Sequence, residues 1–155
     1  MPQRTSVGDV MTTDVATLLR TDSISAAADA MAEHRVGAMP VVDDTRLVGL
    51  LSDEDLIVSE ARLHVPTTIS FLGASFSLPS EMKRFETEIR KAAGALVEDV
   101  MDPDPPTIGA DQSLEDLATA MHESDVTHLP VIDADRRVVG IVARGDLVRF
   151  IARTT

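Results

Sequence analysis

The chain of 155 residues contains no cysteine, tryptophan or tyrosine, and Phe is its only aromatic residue. Without cysteine, disulfides, thiolate metal sites and thiol nucleophiles are excluded. No apolar run reaches the roughly 18 residues that a membrane-spanning helix needs. The first six residues lack the apolar core of a signal peptide. We therefore expect a soluble cytoplasmic protein that neither enters nor binds a membrane.

The chain also has few positive charges, and its formal net charge is −12. A strongly acidic surface repels phosphate backbones, so nucleic-acid binding is disfavoured. The apolar fraction of 44% is enough for a core built from Val, Leu, Ile, Ala and Met. This length fits one compact domain or two half-domains that share a core.

The sequence contains two copies of one segment. Residues 7–11, Val-Gly-Asp-Val-Met, return as residues 97–101, Val-Glu-Asp-Val-Met, at an offset of 90. Residues 40–43, Pro-Val-Val-Asp, return at the same offset as 130–133, Pro-Val-Ile-Asp. Beyond that point the offset becomes 91, because the second turn is one residue longer. This match predicts two copies of one supersecondary unit, packed face to face with a pseudo-twofold cleft between them.

Each copy has the pattern strand, helix, strand, strand, helix. In the first copy the predicted elements are an extended segment at 14–17, a helix behind Ser23, strands at 38–42 and 47–51, and a last helix from Ser52. In the second copy they are a helix behind Ser113, strands at 129–132 and 138–142, and a last helix at 144–153. The helix face expected to be buried is Ile24, Ala27, Ala28 and Met31, repeated as Leu114, Leu117, Ala118 and Met121.

The segment that joins the copies, 57–96, is too long for a plain loop in a compact domain. Its second part, 81–93, predicts an amphipathic helix that ends at Gly94. We therefore divide the chain into a first repeat at 1–60, an insertion at 61–95 and a second repeat at 96–155. The insertion can cover the cleft of the protein itself, form a dimer contact or dock on an effector protein, and we favour a dimer contact or packing on the protein itself over membrane association.

Three motifs recur in both copies in the same order: Asp-Val-Met, Pro-Val-(Val/Ile)-Asp, and a Gly followed six residues later by Asp-Leu. With these motifs the copies resemble cystathionine β-synthase (CBS) motifs, and the pair resembles a Bateman module, over roughly 7–60 and 97–153. The resemblance implies an α/β fold of tandem β-α-β-β-α repeats with pseudo-twofold symmetry, typically a homodimer. It also implies an adenosyl ligand in the cleft between the repeats, and regulation rather than catalysis.

The start of the last helix in the first copy is one candidate binding element. Free N–H groups at a helix start favour anions, and the Ser52 hydroxyl can reach a ribose or a phosphate. The Asp55 carboxylate can accept two hydrogen bonds from a ribose diol. This spacing matches the family pattern Gly-x-x-(Ser/Thr)-x-x-Asp. Ser-x-x-Asp before an apolar helix is also a capping arrangement, so a purely structural role stays open.

The second copy departs from that pattern, because Ala143 stands where the family has Ser or Thr. Asp146 remains the candidate for the ribose. Arg144 adds a cation that can meet a phosphate, although it is equally a solvated surface residue. The two binding positions are therefore not equivalent.

The residues before each copy's Pro enter the strand that lines the cleft. They are Gly37, Ala38 and Met39 in the first copy and Thr127, His128 and Leu129 in the second. The resemblance implies that backbone here meets the adenine edge and that side chains approach the phosphates. His128 can contact a phosphate in this way, although it is equally a surface or partly packed histidine. Val15 and its equivalent Pro105 flank the adenine or belong to the core.

The sequence thus predicts a regulatory sensor that needs no cofactor and acts on a separate effector protein. Its regulatory ligand would be AMP, ADP, ATP, a dinucleotide or S-adenosylmethionine. Neither catalytic nor metal-binding residues are expected, since the His residues have no partner at a recognisable metal spacing. The main alternative is a ligand-free interaction or dimerisation module.

Overall fold

The computed structural model describes residues 5–59 and 95–154. Of the insertion predicted at 61–95, only residue 95 falls within them. The amphipathic helix predicted at 81–93 lies outside the described residues.

Two repeats of similar architecture make up the described structure. The first contains α1 (Val7–Val10), β1 (Leu18–Leu19), α2 (Ile24–His34), β2 (Ala38–Asp43) and β3 (Arg46–Ser52), after which residues 53–59 are helical. The second contains α3 (Val97–Val100), α4 (Leu114–Ser124), β4 (His128–Ile132), β5 (Val138–Ala143) and α5 (Arg144–Thr154). This order confirms the predicted tandem α/β repeats. The extended segment predicted at 14–17 lies N-terminal to the observed first strand. Residues 15–17 lack regular structure, and the strand is Leu18–Leu19.

Each repeat builds its sheet around a hairpin. In the first repeat, β2 pairs with β3 in antiparallel and with β1 in parallel. In the second repeat, β4 pairs with β5 in antiparallel. The equivalent of β1 is reduced there to a single parallel bridge between Ile108 and Val131. The two hairpins are joined to each other, because the Leu47 N–H donates to the Arg136 carbonyl oxygen at 2.9 Å. The repeats therefore form one continuous assembly.

The long helix of each repeat begins at the serine that the sequence predicts. The Ser23 hydroxyl accepts the Ala26 N–H at 3.1 Å, and the Ser113 hydroxyl accepts the Asp116 N–H at 3.0 Å. The buried stripe of α2 is centred on Ala27 and Met31, and that of α4 is centred on Leu117 and Met121. Ala28 and Ala118 were wrongly placed in this stripe and are exposed, because the sheet covers only a narrow arc of each helix.

The short helices α1 and α3 are exchanged between the repeats. Val7 of α1 lies fully buried among Leu117 and Leu129, in the core of the second repeat. Val97 of α3 lies in the core of the first repeat with Met39 and Leu51. Each hydrophobic core therefore contains the opening segment of the other repeat, and this exchange locks the two repeats together.

Glycine allows each exchanged segment to approach its strand closely. A Cβ added to Gly49 would lie 2.9 Å from the Asp102 carbonyl oxygen, and one added to Gly140 would lie 3.0 Å from the Thr12 carbonyl oxygen. Such distances leave no room for a side chain at either position. Next to Gly49, Leu50 and Asp102 exchange two backbone hydrogen bonds, both of 3.0 Å. The close approach at Gly49 and Gly140 brings the segment after each short helix to the entrance of the cleft.

Candidate functional site

One cleft between the repeats, here called cleft A, has a volume of about 470 Å³. That volume lies within the range of about 300–1,000 Å³ that is usual for small-molecule sites. Three parts of the chain meet there: the segment after α1, the end of α2 with the start of β2, and the second repeat. Its lining residues are Thr12, Asp14, Val15, Ala16, His34, Arg35, Val36, Gly37, Ala38, His128, Ile141, Ala143, Asp146 and Arg149.

The pseudo-equivalent cleft, here called cleft B, is smaller, at about 220 Å³. It is built from the corresponding parts with the repeats interchanged. Its lining residues are Ala38, Leu50, Ser52, Glu54, Asp55, Asp102, Pro106, Asp125, Val126, Thr127 and His128. The sequence favours the Ser52 and Asp55 position, whereas the geometry gives more space to the Asp146 position.

Both ribose candidates also cap the helix on which they lie. Asp146 Oδ2 accepts the Ala143 N–H at 2.8 Å, and Asp55 Oδ2 accepts the Ser52 N–H at 3.0 Å. The other oxygen of Asp146 is paired with Arg149. The capping role that the sequence leaves open is therefore present in both copies. A carboxylate has several acceptor positions, so a cap through one oxygen leaves capacity for a ribose hydroxyl.

His128 lies at the boundary of the two clefts and lines both. Burial lowers the pKa of His128 from its ordinary value, and the nearby carboxylates of Asp53 and Asp146 oppose this shift. The ring packs over Gly37, where an added Cβ would lie 3.1 Å from His128 Cε1. Its Nδ1 is 2.9 Å from the Thr127 hydroxyl. An anion beside this ring would favour the protonated form and bind it more strongly.

The structure gathers most of the predicted residues around the clefts. Val15, Gly37, Ala38, His128 and Asp146 line cleft A, and Ser52, Asp55 and Thr127 line cleft B. Met39 and Leu129 are buried in the two cores.

Two other predicted positions lie outside the cleft linings. Arg144 is exposed at the start of α5 and lines neither cleft. Pro105 is buried, and its neighbour Pro106 lines cleft B in its place.

The sequence reasoning missed three side chains of cleft A, one histidine and two arginines: His34, Arg35 and Arg149. The first two stand at the end of α2, directly before the predicted Gly37 segment. Arg149 lies one helical turn after Asp146, so the helical period places it on the same face. A search for side chains one turn from each candidate would have found Arg149.

No helix within 5–59 and 95–154 is long and apolar enough to cross a membrane. In the same part of the chain, no group of three or more His, Asp or Glu side chains is arranged to hold a metal ion.

Comparisons with known proteins agree with this architecture. Residues 7–61 and 97–153 each match the family model of the CBS domain. The chain is 33% identical over 150 residues to CBSX1, a chloroplastic CBS domain-containing protein of Arabidopsis thaliana. This alignment covers 93% of this chain and 63% of that protein. It is 34% identical over 142 residues to the CBS domain-containing protein YhcV of Bacillus subtilis, covering 92% and 82% of the two chains. The chain thus spans less than two thirds of the chloroplast relative.

A solved structure shows the same arrangement of repeats. The crystal structure of CBSX2 of Arabidopsis thaliana in complex with AMP superposes with a TM-score of 0.73 at 30% identity. The match covers 96% of this chain and 97% of that one. The sequence repeats, the exchanged fold and these matches agree: the chain belongs to the CBS domain family and is a CBS pair.

Proposed function

We propose that this protein is a regulatory sensor that binds an adenosine nucleotide in cleft A. The observation that carries the proposal is the convergence of Val15, Gly37, His128 and Asp146 on one cavity of about 470 Å³. With Arg35 and Arg149 of the same lining, their chemistry suits the parts of a nucleotide: apolar contact for the adenine, a carboxylate for the ribose diol, and guanidinium groups for the phosphate. The AMP complex of CBSX2 supports AMP as the first ligand to test.

Ligand binding in cleft A can change the relative orientation of the repeats. The cavity is lined by Thr12 from the exchanged segment, by Gly37 from the first repeat and by Asp146 from the second. A ligand that bridges these parts favours the orientation in which all three contact it, and so shifts the population of conformations. A separate effector protein would then read the orientation, and the protein itself would not catalyse a reaction. We propose the cytoplasm as its location, although CBSX1 is chloroplastic.

Calorimetric titration of nucleotide-stripped protein with AMP, ADP, ATP and S-adenosylmethionine tests this function. Asp146→Asn keeps the shape of the cap but removes the charge that strengthens a ribose contact. It should weaken AMP binding about tenfold, whereas Asp55→Asn is the matched control in cleft B and should leave AMP affinity within about twofold. No binding of any adenosyl ligand to native protein would contradict the proposal and favour the ligand-free interaction module.

We also propose that the protein forms a homodimer through the helices that follow the two hairpins. Ile57 is 67% exposed and Val148 is 57% exposed, and the two occupy equivalent positions in the repeats. Exposed apolar side chains repeated on paired helices suit a self-complementary interface. Analytical ultracentrifugation should show a dimer that Val148→Asp shifts towards monomer. A monomeric native protein at micromolar concentration would contradict this assembly.

A further inference from the structure

The two clefts share one geometry but carry different charge. Cleft A contains two arginines, Arg35 and Arg149, together with the carboxylates of Asp14 and Asp146. Among the residues that the structure describes, the lining of cleft B includes no Arg or Lys and has twice as many carboxylates. These are Glu54, Asp55, Asp102 and Asp125. The charges of these Arg and Asp side chains cancel in cleft A, whereas the carboxylates of cleft B are not balanced by any arginine or lysine of its described lining. A phosphate group is therefore repelled in cleft B and can pair with an arginine in cleft A.

The contrast is sharpest at one pair of equivalent positions. Arg35 ends α2 and Asp125 ends α4, at the sequence offset of 90, and both have the left-handed backbone conformation, with φ of 54° and 51°. Asp is tolerated in this conformation because its short polar side chain can hydrogen-bond locally. The long side chain of Arg has no such local hydrogen bond to offset the strain. Residues held against local preference are concentrated at functional sites.

The Arg35 guanidinium is also available for a ligand. Its side chain is exposed on the wall of cleft A, and no ion pair joins it to a carboxylate within residues 5–59 and 95–154. Arg149, by contrast, is already paired with Asp146. A planar guanidinium suits a phosphate because it can donate two parallel hydrogen bonds.

We propose that Arg35 is a specificity-determining residue that makes cleft A selective for phosphorylated adenosine ligands, and that the carboxylates of cleft B exclude phosphate. This inference rests on the proposed nucleotide-binding function. It goes further by assigning phosphate recognition to a single side chain and by predicting one nucleotide per chain. Cleft B, if it binds an adenosyl ligand, accepts an uncharged or cationic one.

The affinities of AMP and adenosine for the same protein separate phosphate recognition from recognition of the nucleoside. Arg35→Gln should weaken AMP binding about tenfold and change adenosine binding by less than about twofold, because only AMP has the group that Arg35 contacts. Arg20→Gln is the matched control: Arg20 also is an exposed arginine, it pairs with Asp43, and it lines neither cleft. It should leave both affinities unchanged.

A second variant tests the same idea in the opposite direction. Asp125→Arg places a cation at the equivalent position of cleft B and removes one of its carboxylates. Calorimetry should then show a second AMP site per chain, where the native protein has one. Added salt should weaken AMP binding but not adenosine binding, because screening acts on the charged contact.

Different results would overturn different parts of the account. Equal loss of AMP and adenosine in Arg35→Gln would overturn phosphate selection by Arg35 and leave nucleotide binding intact. Two AMP sites in the native protein would overturn the exclusion of phosphate from cleft B. Absence of binding by both ligands would instead contradict the proposed function itself.

Discussion

Replacing Gly49 by alanine tests whether the exchanged segment holds the repeats together. The new Cβ would lie 2.9 Å from the Asp102 carbonyl oxygen and closer still to the Met101 sulfur. The methionine side chain can move away, but the carbonyl oxygen belongs to a backbone that is held by two hydrogen bonds to Leu50, each of 3.0 Å. The strain must therefore displace the segment after α3 from β3.

The size of the effect follows from two opposing contributions. Overpacking of this kind costs about 1–3 kcal/mol. Replacing Gly by Ala also restricts the unfolded chain, which stabilises the protein by about 0.4–1 kcal/mol. We expect a net loss of about 1–2 kcal/mol in the free energy of unfolding, and a chain of this size loses about 2–4 °C in Tm per kcal/mol. The predicted fall in Tm is roughly 2–8 °C.

Gly145→Ala is the matched control, measured by the same thermal denaturation. Its added Cβ meets only the flexible end of Arg149, at 3.3 Å from Nη1, and Gly145 lies inside helix α5. Alanine is favoured over glycine in a helix by up to about 1 kcal/mol, so this variant should keep or raise Tm. Equal Tm values for the Gly49→Ala variant and the native protein would refute the close approach and with it the proposed locking of the repeats.

Three other experiments test local contacts in the clefts. Asp55→Ala and Asp146→Ala each remove a helix cap, so each should lower the free energy of unfolding in urea by about 1 kcal/mol; an unchanged value in both would argue against capping. Arg35→Gly relieves a left-handed backbone and should therefore keep or raise Tm, and a marked fall would show that the position is not strained. Because burial lowers the pKa of His128, the unfolded chain binds a proton more tightly than the folded chain. Stability should then fall as the pH drops below about 6.5, less steeply in His128→Gln, and identical pH profiles between pH 5 and 8 would contradict this.

The hairpins and long helices could be predicted from the sequence because their signals are local. Ser23 and Ser113 mark helix starts, and the apolar runs that contain Pro40 and Pro130 became β2 and β4. The repeat itself predicted the pseudo-symmetry, since two copies of one pattern must bury equivalent faces.

The exchange of α1 and α3 could not be predicted in this way. Val7 and Val97 begin nearly identical motifs, and either would fit the core of either repeat. Both strands that receive a segment carry the equivalent glycine, so the local sequence does not decide between them. Gly49 and Gly140 were recognised as parts of the repeat, but their steric role is visible only once the segments are placed.

The candidate site was predicted in part. Asp55 and Asp146 stood out because their spacing serves both a helix cap and a ribose contact, and His128 stood out beside its proline. No sequence pattern pointed to Arg35. Its backbone has the left-handed conformation that favours glycine, and this conformation is visible only in the structure. The relative size of the clefts depends on packing between distant segments, so sequence spacing favoured Asp55 while the structure gives cleft A more room.

A crystal structure of the protein grown with AMP tests the central claim most directly, because it locates the ribose and the phosphate. We expect one nucleotide in cleft A, with its ribose hydroxyls at Asp146 and its phosphate beside Arg35, and none in cleft B. AMP held in cleft B through Asp55, or bound in neither cleft by protein that binds AMP in solution, would contradict the account.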